Sequence, residues 1–100
     1  MNAHIELGAR AFAALEALPE KTAFDVFRRI DRLARFPEMG SPLDARYPKL
    51  KGFRQLVYRR WLRIVYEFDQ NEQTVYILAI QSCKQRLPSP LDLRRDPPSE

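Results

Sequence analysis

The chain has a single cysteine, Cys83, and a single histidine, His4. A lone cysteine forms no internal disulfide and lacks the companions of a zinc site. No structural metal and no cofactor are expected. Nothing pairs His4 with a second titratable group, so it reads as a surface residue. No apolar run approaches the roughly 18 residues needed to cross a bilayer as a helix. The opening MNAHIELGARAF lacks a charged segment followed by an apolar one, which argues against a secretion signal. These shortages together predict a cytoplasmic protein with no membrane contact. The most informative absence is local. From Ala45 to Tyr66 there is no acidic side chain, while that stretch carries seven basic ones: Arg46, Lys49, Lys51, Arg54, Arg59, Arg60 and Arg63. Net charge over all 100 residues is only +4, so the clustering says more than the total. Several guanidiniums on one surface predict an anionic partner.

The rest reads as scaffold for one domain over residues 1–86, followed by a tail, 87–100. Asn2 to Leu7 alternates loosely and suggests a short strand. Ala9 to Leu18 reads as a helix with Phe12, Leu15 and Leu18 at helical spacing, ended by Pro19. Glu20 to Phe36 reads as a second helix, with Ala23, Phe27, Ile30, Leu33 and Ala34 forming its apolar stripe. Two helices joined at Pro19 should pack as an antiparallel hairpin. Glu38 to Lys49 is a loop punctuated by Gly40, Pro42 and Pro48. Phe53 to Tyr58 and Leu62 to Asp69 read as strands, with a turn at Arg59–Trp61 between them. Thr74 to Gln81, almost wholly apolar, reads as a central strand buried on both faces. The tail holds four of the eight prolines and is expected to be extended or mobile. The predicted class is α+β: a helical hairpin covers one face of a small antiparallel sheet, and the other face stays open to display basic side chains.

The ordered series of motifs resembles the RelE/ParE superfamily of toxins from bacterial type II toxin–antitoxin modules. ARAFAALEALPEK is similar to the first helix of that family and the break after it. IDRLARFPEMGSPL is similar to the end of its second helix. LKGFRQL resembles its entry to the sheet, LRIVYEFD its arginine–aliphatic–valine–tyrosine strand, and TVYILAI the strand after that. The likeness spans roughly residues 5 to 86. It implies a microbial-RNase-like fold, a cognate antitoxin as partner, and one of two targets: mRNA at the ribosome, which one branch cleaves, or DNA gyrase, which another inhibits without cleaving RNA. Arg54 and Arg63 fall where ribosome-dependent members carry basic sheet residues, and Lys84 or Arg86 falls at the basic position after the last strand. The sequence departs from that branch in two places. Gln81, Ser82 and Cys83 stand where many relatives carry a histidine, and Leu56 stands where a second basic residue belongs.

The chemistry expected is phosphate recognition. Arginine grips two phosphate oxygens with one planar fork. Arg54, Arg63 and Arg86 are the candidate catalytic set, with Arg54 and Arg63 pointing the same way from adjacent strands. Lys49, Lys51, Arg59, Arg60 and Lys84 are candidate nucleic-acid contacts. Tyr66 and Trp61 are expected in or beside the core, and Glu67 as the charge partner of Arg54 or Arg63. The leading expectation is a ribosome-dependent mRNA interferase in a plasmid-stabilisation module; the alternatives are a gyrase inhibitor without RNase activity and a non-toxic antitoxin-binding subunit.

Overall fold

A computed structural model describes residues 2–95 of the protein. Strand β1 (His4–Leu7) leads into helices α1 (Ala9–Glu16) and α2 (Glu20–Arg32). A two-residue strand β2 (Ser41–Pro42), a 3-10 turn (Pro48–Leu50) and strands β3 (Phe53–Tyr58), β4 (Leu62–Asp69) and β5 (Thr74–Ser82) complete the order. The sheet has five strands in the order β1-β5-β4-β3-β2. The meander β3–β4–β5 is antiparallel as expected. β1, however, runs parallel to β5, pairing His4 with Thr74 through Leu7 with Ile77. The sheet is therefore mixed, because the two helices form the crossover that brings the chain back in the same direction.

Side chains alternate across a strand, so the pairing registers sort the sheet into two faces. Leu56, Tyr58, Leu62, Ile64, Tyr66, Val75, Ile77 and Ile80 pack against the helices, where Ala11, Leu15, Val26, Ile30 and Leu33 meet them. Ile30 and Leu33 of the expected helical stripe are buried and Ala23 packs against the core, but at Phe27 the inward place is taken by the residue before it. Val26 is buried while Phe27, Phe24 and Phe12 remain exposed. Periodicity locates a stripe within about one residue, and the larger ring was the wrong guide to which residue faces inward.

The opposite face is not open. Val65, Leu78 and Ala79 are covered there by Leu43, Leu50 and Leu93, with Phe53, Tyr76 and Leu87 packed around them. A bulge between Val65 and Tyr66 shifts the register of β4 against β5, from Val65↔Ala79 to Tyr66↔Ile77. Leu78 and Ala79 thus both join the second layer, which explains why β5 is apolar almost throughout. Leu93 is only 1% exposed. The segment expected to be extended or mobile is therefore packed as far as Arg95, and only its DPPSE end lies outside the described residues. Composition suggested mobility, but one leucine at the right reach closes a core.

The tail is also fastened by charge. Arg95 pairs with Glu67 at 2.6 Å, Asp69 at 3.3 Å and Glu72 at 3.6 Å, and its guanidinium lies 3.8 Å from the Tyr76 ring centroid. Glu67 is thus the partner of Arg95, not of Arg54 or Arg63. The Glu72 amide and the Arg95 guanidinium hold the Asp69 carboxyl below its ordinary value of 3.8. A depressed folded value adds stability above the ordinary range and loses it as pH falls. The thermal midpoint should therefore drop below pH about 4, and Asp69→Asn should remove part of that dependence in a melting series.

Between β3 and β4 the chain turns on Arg59, Arg60 and Trp61. Arg59 and Arg60 have φ of 47° and 68°, the left-handed region that costs a side-chain-bearing residue roughly 1 kcal/mol or more.

Candidate functional site: a basic cleft beside the C-terminal end of the sheet

The structure separates the two arginines that were expected to act together. Arg54 pairs directly with Tyr66 across β3 and β4, on the helix-facing side. Arg63 pairs with Val57, on the side where Val65 meets the second layer. They point to opposite faces. Their spacing along the sequence hides this, because the hairpin register, not the count of residues, decides which positions share a face.

Arg54 is also already occupied. Its Nη1 donates to the carbonyls of Gly40 at 2.7 Å and Glu38 at 3.1 Å, and its Nη2 sits 3.4 Å from the Glu38 carboxylate. The Tyr66 hydroxyl completes the same junction. It donates to the Pro37 carbonyl at 2.8 Å and accepts from the Gly40 amide at 2.9 Å. Burial pushes the Tyr66 phenol above its ordinary value, so it stays a neutral donor. Glu38, Glu67 and Asp69 line the hollow in which Arg54 sits, and three carboxylates make that hollow a poor place for a phosphate. Arg54 is a staple between loop and sheet.

Arg63 leads to a different surface. Its Nη2 donates to the Cys83 carbonyl at 2.8 Å, and its Nη1 lies 3.4 Å from the Gln55 side-chain oxygen. Its Nε is buried without a hydrogen-bond partner among the described residues, as is the side-chain oxygen of Gln81, its cross-strand neighbour. Beside it opens a cleft of about 650 Å³. The segment Arg46–Leu50 forms one wall, and Gln85–Pro90, which leads into the tail, forms the other. Arg46, Lys49, Arg63 and Arg86 supply its charge, Tyr47 a hydroxyl and Cys83 a thiol; among the described residues none that lines it is a carboxylate. A second hollow, lined by Gln55, Val57, Arg46, Tyr47, Arg63 and Cys83, runs into it.

Of the expected residues, then, Arg63, Arg86 and Lys49 converge on this cleft. Arg54 does not. Lys51 and Lys84 are exposed beside neighbouring turns without lining it, and Arg59 and Arg60 occupy the hairpin tip. Sequence reasoning missed Arg46 and Tyr47 as lining residues. Their signal was present in the acid-free run, but only the fold of the 3-10 turn brings them against the tail. Trp61, expected near the core, is 45% exposed.

The cleft gathers several cations around one concavity, where their fields add at a bound anion. Among the described residues it has no imidazole or carboxylate to take a proton. His4 lies at the other end of the sheet, opposite Thr74. Among the described residues no group of histidine, cysteine, aspartate and glutamate side chains is arranged to hold a metal ion, and no helix is long and apolar enough to cross a membrane.

The family model for the ParE toxin of type II toxin–antitoxin systems, parDE, matches residues 5–87. No curated protein matches by sequence. Among solved structures, the fold is similar to that in the toxin–antitoxin complex RelBE2 of Mycobacterium tuberculosis. The TM-score is 0.71 at 25% identity, over 82% of this chain and 99% of that one. The intact RelBE toxin–antitoxin complex of E. coli matches with a TM-score of 0.67 at 12% identity, over 83% of this chain and 99% of that one. The archaeal RelE–RelB complex of Pyrococcus horikoshii matches at 0.56 and 16% identity, over 86% and 100%. The last two likenesses concern the fold alone.

Proposed function

The chain belongs to the ParE toxin family of type II toxin–antitoxin systems, and from that premise we propose that it arrests growth by gripping a phosphate-bearing target in the basic cleft without cutting it. The observation that supports this reading is the cleft's side-chain inventory: Arg46, Lys49, Arg63 and Arg86 around one opening, with no carboxylate among them. Arginine and lysine bind phosphate oxygens and stabilise charge on them. RNA cleavage through the 2′-hydroxyl also needs a group that accepts its proton, and neither His4 nor Glu67 reaches the cleft. In the family the non-cleaving activity is inhibition of DNA gyrase, and the target proposed here is gyrase in its complex with DNA, whose backbone carries the phosphates. An antitoxin is the proposed partner that neutralises the toxin. The match to RelBE2, crystallised as a toxin–antitoxin complex, supports that partnership.

A second reading rests on one observation. Tyr47 and Lys49 line the same cleft as Arg63 and Arg86, and a phenol and an amine beside two guanidiniums can serve as acid and base in a ribosome-dependent mRNA interferase. Supercoiling and cell-free translation assays with purified protein separate the two. Inhibited supercoiling with intact mRNA is the expected result; cleaved mRNA with normal supercoiling selects the interferase. In either case Arg46→Glu with Arg86→Glu should weaken the inhibitory activity at least tenfold, since both side chains are exposed and contribute little to folding. Undiminished activity in that double variant would remove the cleft from the mechanism.

A further inference from the structure

A second group of cations lies on the other side of the sheet, and the proposed function does not use it. Arg28, Arg29 and Arg32 of α2 and Arg59 of the hairpin tip line one hollow of about 430 Å³, together with Asp25, Asp31 and Tyr58. None of these four arginines forms an ion pair with the described residues, whereas Arg10, Arg54 and Arg95 each do. The Asp25 carboxylate already accepts the Tyr58 hydroxyl at 3.0 Å. Asp31 is exposed at the rim. Tyr58 forms the floor, 4% exposed, with the guanidiniums of Arg29 and Arg59 at 5.4 Å and 5.6 Å from its ring centroid. Burial and the Asp25 bond push its phenol above the ordinary value, so it adds no negative charge to the hollow.

The hairpin tip joins this hollow to the basic cleft. Trp61 stands next to Arg59 and Arg60, 45% exposed, with its ring edge-on to Tyr58 at 6.4 Å. Its carbonyl accepts the amide of Cys83 at 2.8 Å, and Cys83 lines the cleft. Both arginines of the tip hold left-handed backbone angles in a turn where glycine and asparagine are easier. Strain held in an exposed arginine pair, beside an exposed indole, marks a place where the side chains matter more than the turn.

We propose that the hollow between α2 and the hairpin tip binds the phosphodiester backbone of a single-stranded nucleic acid, with one base stacked on Trp61. Guanidiniums that track phosphates beside an aromatic platform are the arrangement that holds single strands without reading their sequence. An acidic protein segment would be met by the same charges but has no use for the exposed indole. The inference does not depend on which enzyme the toxin inhibits, nor on whether the cleft cuts RNA.

Trp61 is the only tryptophan in the chain, so its fluorescence reports the site directly. Titration with an oligothymidylate of about a dozen nucleotides should quench it, and added salt should reverse the quench. Arg28→Gln with Arg32→Gln and Arg59→Gln should weaken binding at least tenfold. It should also lower the slope of log affinity against log salt by about 2, the loss of three contacts on a single strand. Arg59→Gly alone should weaken binding while preserving the turn, which rules out unfolding as the cause. Arg46→Glu with Arg86→Glu should leave the quench intact. Failure of the gyrase assay with a retained quench would therefore sink the proposed function and leave this site standing. The site is overturned by an absent quench, by an unchanged salt slope in the triple variant, or by loss of the quench in the cleft variant. It is equally overturned if polyglutamate binds as tightly as the oligonucleotide and the triple variant loses only polyglutamate.

Discussion

Leu93→Ala should lower the thermal midpoint by about 15 °C, the shift that about 3 kcal/mol produces in a domain of this size. The side chain is 1% exposed and sits in the second apolar layer with Leu43, Leu50, Val65, Leu78 and Ala79. Removing three side-chain carbons there loses their transfer free energy and leaves a cavity that a sheet on one side cannot collapse into. The effect should reach beyond stability. The tail that carries Leu93 also carries the Leu87–Pro90 wall of the basic cleft and follows directly on Arg86. Ending the chain after Arg86 should therefore cost more than Leu93→Ala, because it also releases Arg95 from Glu67, Asp69 and Glu72. It strips both Leu87 and Leu93 from the second layer as well. Calorimetry on the two variants checks both statements. A truncated chain that melts with the full-length protein would mean the tail contributes nothing to the fold.

Gly40→Ala should destabilise the protein by about 3 kcal/mol, at the upper end of what overpacking costs. A Cβ at that position would lie 2.7 Å from the Gln55 carbonyl oxygen, 2.7 Å from the Tyr66 hydroxyl and 2.8 Å from the Tyr66 ring. Two of those atoms belong to a ring with no exposed surface, and the third to backbone in a paired strand, so none of them yields cheaply. Relief requires the 37–42 loop to lift. That breaks the Tyr66 bonds to Pro37 and Gly40 and those of Arg54 to Gly40 and Glu38. Tyr66→Phe probes the same junction without crowding it. It leaves the Gly40 amide and the Pro37 carbonyl without their partner and should cost about 2 kcal/mol. Denaturant titration of both variants gives the comparison, and a Gly40→Ala protein as stable as the parent would show that the loop is not held where the junction places it.

The order of elements was legible in the sequence because each is a local matter. Pro19 opens the second helix, which ends at Arg32 ahead of the expected stop at Pro37, alternation marks β3 and β4, and an unbroken apolar run marks β5. Composition and the acid-free stretch also located the cations. What these signals left undecided was which cations meet. Arg54 and Arg63 look equivalent along the chain, yet one ends as an internal staple and the other lines the cleft. The difference is a matter of strand parity across the Arg59–Trp61 turn. Similarly, Phe27 and Phe12 looked like core and Trp61 like its neighbour, because large rings mark an apolar stripe without fixing the rotation of the helix or the direction of a turn.

By itself, the sequence determined the α+β class, the succession of helices and strands, a surplus of guanidiniums near the middle of the chain, and a likeness to a toxin family. Only the tertiary structure decided that β1 returns parallel to β5, that the tail closes a second core, and that Arg46, Lys49, Arg63 and Arg86 share one opening. The reason is range. Helix and strand propensities act over a few neighbouring residues, whereas a cleft is made by segments dozens of positions apart whose meeting is fixed by register, a bulge and the burial of one distant leucine.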